Sequence, residues 1–204
     1  MIGLRTILLS THVAGLALGL GTAAFLDLRM LPALRRRPLA AADLALLEAG
    51  GRAVAAGLAL LWISGIGLVY LAWRADPGFL GNPKLHAKLA IVAVLTLNGL
   101  ALHALVLPML RAGVGRPALD ALDPARCAVA LGCGAVSAVS WAAAFLLGMA
   151  RELNHVVPAA SILQAYALAL LLAWAGAGLL MRPGGGRGAS RVLPGRRLPL
   201  TAKR

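Results

Sequence analysis

Five apolar stretches, divided by short polar or cationic connections, dictate what this 204-residue chain can fold into. They cover residues 6–28, 52–73, 83–110, 126–150 and 158–181. Each is long enough for an α-helix to cross the hydrocarbon core of a bilayer, which takes about 20 residues. No water is available there, so backbone N–H and C=O groups must pair within the segment and helices are expected. The composition agrees. The chain is 60% hydrophobic and 13% charged, against about 25% charged in a soluble domain. A water-soluble fold of this size has no core large enough to hide so much apolar surface. The expected fold class is all-α, an integral membrane bundle of about five transmembrane helices. A single membrane domain would span 1–181, followed by a disordered basic tail over 182–204.

The ends of the stretches carry local signals. Asn82-Pro83 reads as a cap and first helical position, and Pro158 opens the fifth helix in the same way. Residues 39–50 are ambiguous. Asp43 and Glu48 interrupt an Ala/Leu run that is either an interfacial helix or an extension of the second helix, with Gly50-Gly51 as a hinge. The first stretch is longer than the apolar region of a signal peptide, about 7–15 residues. Arg35, Arg36 and Arg37 follow it, so it reads as a retained helix.

The net charge of +13 has a topological explanation, and no nucleic-acid partner is expected. Seven of the 20 basic residues lie in the tail, and without them the excess falls to +6. With the N-terminus outside, 15 Lys and Arg fall on the inner side and five on the outer. The positive-inside bias therefore places the C-terminus in the cytoplasm of a bacterial inner membrane. The tail would attract anionic lipid headgroups. Gly15 and Gly19, extended by Ala23, form a GxxxG helix-packing face. Such a face suits a neighbouring helix, a membrane protein partner or a second copy. Cys127 and Cys133 lie six residues apart on one expected helix, a rise of about 9 Å, too far for a disulfide. They read as small apolar helix residues.

Four histidines carry most of the available chemistry. His12, His86 and His155 all fall near the outer side, whereas His103 belongs to the inner half. An imidazole within a membrane is costly unless it is paired or ligating. Neutral imidazole is a common ligand of haem iron and of copper. His12 and His86 would thus hold a b-type haem between the first and third helices. For a metal ion, His155 would be a third ligand beside them. The plain alternative leaves His86 and His155 as water-facing headgroup-level residues. Lys84 and Lys88 sit at a helix N-terminus, where the macrodipole disfavours cations. Lipid phosphate or a bound anion such as a haem propionate would favour them. Asp27 and His103 form a candidate inner polar pair, and Asn98, Ser137 and Ser140 are candidates for interhelical bonds. Trp62, Trp141 and Trp174 read as packing or interface anchors. No phosphate-binding glycine loop or hydrolase motif occurs in a fitting context.

Three short motifs are familiar: Thr11-His12-Val13-Ala14-Gly15, Trp62-Ile63-Ser64-Gly65 and Lys84-Leu85-His86-Ala87-Lys88-Leu89. They resemble small bacterial membrane proteins related to the copper-resistance D family and to HemJ-type protoporphyrinogen oxidases. The resemblance covers about the first half of the chain, and a fifth helix departs from the HemJ pattern. It implies haem or metal positions at His12 and His86, with Lys88 nearby. The second half, with Ser140-Trp141 and Arg151-Glu152-Leu153-Asn154-His155, is similar to a widespread group of uncharacterised bacterial membrane proteins. Three functions follow as expectations. One is a haem-binding redox protein, one a copper or small-cation permease using Asn98, His103 and Asp27, and one a non-catalytic partner subunit or scaffold.

Overall fold

The computed structural model describes residues 3–35 and 37–181. The expected tail, 182–204, lies outside the described residues. Five helices are long and apolar enough to cross a membrane: α1 (Leu4–Arg35), α2 (Ala41–Ala75), α3 (Pro83–Ala112), α4 (Pro124–Met149) and α5 (Ala159–Met181). The fold is all-α, and the chain is a multi-pass membrane protein. Large apolar residues such as Leu28, Ile63, Leu97 and Leu171 are exposed on the bundle surface, as lipid solvation requires. We place uppermost the end that carries the 76–82 and 150–158 turns.

The ambiguous segment 39–50 is not a separate interfacial helix. From Ala41 it is the extension of the second helix that the sequence left open, the lower end of α2, and helix continues through Gly50 and Gly51. Neither glycine is a hinge. Gly50 faces Leu26 of α1, and Gly51 faces His103 of α3. Several helices also extend beyond the apolar stretches, because helical hydrogen bonding does not stop where the lipid does.

α1 packs most extensively on α2, α3 on α4, and α4 on α5. The α1–α2 contact is set by glycine. A Cβ at Gly57 would lie 2.6 Å from the Gly19 nitrogen and 2.8 Å from the Gly15 oxygen. Gly15 and Gly19 therefore face inward, against α2 and against the Trp141 ring of α4. Ala23, Leu61, Leu95 and Trp141 form the buried cluster where α1 to α4 converge.

The lower end is held by charge. Asp43 is buried at the start of α2 and accepts from Arg37 and from the Ala40 N–H, with Arg29 at 3.4 Å. The hydrogen bonds from Arg37 to Asp43 raise its guanidinium above the ordinary arginine value. Arg111 reaches Glu48 at 2.8 Å and joins α3 to α2. Leu39 exchanges backbone bonds with Gly115 and Arg116, tying the two lower loops together.

Gly57→Ala should destabilise the detergent-purified protein by about 1–3 kcal/mol, because the new methyl meets backbone. Gly176→Ala, where nothing lies within 4 Å, should leave thermal unfolding unchanged. Asp43→Ala should cost about 1.5–3 kcal/mol through its lost charged hydrogen bonds. Thermal unfolding followed by circular dichroism measures all three.

Candidate functional site

The sequence motifs place three histidines at the upper end, and the structure does not gather them. His12 sits on the inward side of α1, half-buried, with Nδ1 2.9 Å from the Ser64 hydroxyl of α2. Ser64 donates its own proton to the Leu60 carbonyl, so it accepts from His12. His86 is exposed. The buried row of α3 runs through Lys84, Ala87, Ile91, Leu95 and Asn98. His86 lies about half a turn of helix away from that row, at about 100° per residue. His12 thus bonds Ser64, whereas His86 is exposed and off the buried row of α3. His155 is exposed in the 150–158 turn with φ 57°, the left-handed region. Among the described residues, no group of three His, Cys, Asp or Glu side chains is placed to share a metal ion.

The two upper lysines turn inward. Lys84 donates to the Ala150 carbonyl, which ends α4. The N-terminus of α3 runs beside the C-terminus of its antiparallel neighbour, and the orphan carbonyls there attract the ammonium. Lys88, one turn lower, is half-buried and points at Gly148 of α4. It also lies within electrostatic reach of His12. Asn82 organises the same corner: its side chain accepts from the Lys84 N–H and bonds to Asn154.

Two adjoining clefts lie elsewhere. α2 and α3 are consecutive, yet they pack loosely along Pro83–Ala101 and leave a chamber of about 450 Å³ between them. α4 forms its floor through Ser137 and Trp141. A second space of about 160 Å³ adjoins it below and includes Asp27. The two share Gly51, Val54, Gly99, Leu102, His103 and Ser137. Across the upper part, Trp62 of α2 donates to the Thr96 hydroxyl of α3 at 3.1 Å. Asn98 donates to the Cys133 carbonyl and fixes α3 on α4.

His103 stands where the two spaces meet, and the backbone explains its placement. Pro108 has no N–H to give to Ala104 and would crowd that carbonyl in a regular α-helix. α3 instead widens into a π turn over Leu102–Val106, closed by Leu107 N–H to Leu102 oxygen. Such turns occur often at functional sites. His103 Nδ1 lies 3.0 Å from the Gly99 carbonyl. A carbonyl only accepts, so Nδ1 is the donor in this bond. Nε2 faces α2 where Gly51 makes room: a Cβ there would lie 2.8 Å from it. Asp27 and His103 line the same lower space but form no ion pair with each other.

Trp141 completes the site. Its ring is 1% exposed, and its indole N–H has no hydrogen-bond partner among the described residues. A buried orphan donor is costly and asks for an acceptor. The sequence reading placed Trp141 among the packing residues. An orphaned N–H has no signature in sequence, whereas Pro108 within the third stretch was a signal for the widened turn.

Compared with known proteins, the chain matches no family model, no curated protein and no solved structure.

Nitrogen NMR of histidine-labelled protein should show His103 with Nδ1 protonated, donating to the Gly99 carbonyl. In Gly51→Ala the His103 signals should move, because the methyl occupies the place of the ring. His155→Gly should stabilise the fold by about 1 kcal/mol in thermal unfolding, since glycine adopts a positive φ without steric cost.

Proposed function

We propose that the protein is a non-catalytic membrane component that binds a lipid-soluble molecule in the chamber between α2 and α3. The observation that carries this reading is the chamber itself. Its volume of about 450 Å³ falls in the range of small-molecule sites, roughly 300–1,000 Å³, and its mostly apolar wall with a few polar groups is typical of them. Ala55, Ala59 and Leu100 on its rim are exposed on the bundle surface. A ligand therefore has sideways entry from the bilayer, without crossing the headgroups.

A cation permease has less support. The inward-turned charges of the upper half are Lys84 and Lys88, which repel an entering cation. The positive-inside bias favours a bacterial inner membrane with the lower end in the cytoplasm. There the seven basic residues of 182–204 would meet anionic headgroups.

The test uses a diazirine-bearing alkane in proteoliposomes, with adducts mapped by mass spectrometry. Labelling should be enriched at chamber residues such as Leu95 and Thr96 over the lipid-facing side of α5. Ala59→Trp, which fills the opening, should abolish that enrichment. Even labelling around the whole lipid-facing perimeter would rule the proposal out.

A further inference from the structure

Resting on the lateral-binding reading, we infer that the ligand is an uncharged lipid with a hydrogen-bond-accepting carbonyl, of the ketone or ester class, held at mid-bilayer depth by the Ser137 hydroxyl.

An unused hydroxyl is the starting point. Within a helix, Ser and Thr can return their proton to the carbonyl four residues back. Thr11, Ser64, Thr96 and Ser140 do so, bonding to Ile7, Leu60, Val92 and Val136. The matching carbonyl for Ser137 is that of Cys133, and it accepts from the Asn98 amide at 3.0 Å instead. Among the described residues, the Ser137 hydroxyl makes no hydrogen bond. Ser137 is 8% exposed, and it lines both the chamber and the space below it. Its open side is therefore the cleft.

Depth comes next. Ser137 lies near the middle of α4, about 18–20 Å from either end at 1.5 Å per residue. Phospholipid and fatty-acid heads stay at the interface, about 15 Å from the bilayer centre. They bring only alkyl tails to this level. No Asp, Glu, Lys or Arg lines the chamber, so a charged head would lie there uncompensated. A polar atom reaches Ser137 on a lipid whose own head is neutral.

The other polar groups of the chamber narrow the head further. Trp62 donates to Thr96, Thr96 to Val92, and Asn98 to Cys133. His103 Nδ1 donates to Gly99, and Nε2 packs against Gly51. The Trp141 N–H is unpaired but has no accessible surface to offer. The ligand is therefore met by the Ser137 proton. An orphaned donor is harder to tolerate in hydrocarbon than an under-used lone pair, so the ligand has to accept. A carbonyl oxygen accepts and brings no donor of its own to satisfy. A hydroxyl head would add a proton with its own demand for an acceptor, and a plain hydrocarbon would leave Ser137 unpaired.

Two probes carry the test: the diazirine-bearing alkane, and its analogue with one mid-chain methylene replaced by a carbonyl. In proteoliposomes of the full chain, the ketone should label chamber peptides at about fivefold lower concentration than the alkane, the weight of one net hydrogen bond. Ser137→Ala deletes one oxygen and keeps a strong helix former. It should bring the two probes level while alkane labelling stays as in wild type, and that alkane signal reports an intact chamber. A ketone preference that survives Ser137→Ala would overturn the assignment. If ketone and alkane label wild type equally, and both are lost in Ala59→Trp, the carbonyl inference is wrong and the chamber reading stands. If Ala59→Trp leaves both bound, the chamber reading falls and takes the carbonyl inference with it.

Discussion

Backbone contact between α1 and α2 is the constraint from which the rest of the structure follows. Lipid tails are as apolar as leucine, so no hydrophobic force drives two helices together in a bilayer, and close packing must do it. Gly15, Gly19 and Gly57 supply that closeness, with main-chain atoms touching where side chains would stand. The Gly19 gap also receives the Trp141 ring, so the same glycine stripe that joins α1 to α2 seats α4 against α1. With those three helices fixed, α3 anchors on α4 through Asn98 and meets α2 through Trp62, Thr96 and the Arg111–Glu48 pair. The space between α2 and α3 is what remains when one helix pair packs tightly and the next pair is held mainly by side chains.

The ends of the helices solve each other's electrostatic problems. Antiparallel neighbours set a C-terminus beside an N-terminus. Lys84 at the start of α3 answers the last carbonyl of α4, and Asp43 at the start of α2 answers two arginines from the end of α1 and the loop beyond it. Charges that look misplaced on one helix are thereby well placed between two.

Five spans, their order and the loop positions were legible in the sequence, because the length of an apolar run is a strong signal. The upper-end histidines were legible as a layer but not as a site. Depth along a helix follows from counting residues, whereas the direction a side chain faces depends on which helix lies beside it. His86 shows the difference: counting gives its height, whereas its exposure off the buried row of α3 depends on the neighbouring helices. The segment 39–50 was open in the sequence between a separate helix and an extension of the second, and the extension is what forms from Ala41. Its charges, Asp43 and Glu48, paired with arginines, do not end a helix. His103 looked like half of a polar pair with Asp27. Pro108, five residues on, was the cue that it stands on a widened turn instead.

The fifth helix lines neither of the two internal spaces. It joins the bundle chiefly along α4, with the Tyr166 hydroxyl meeting Ser140. The cavity between α2 and α3 is therefore walled by the first four helices, and α5 stands outside it as an outrigger.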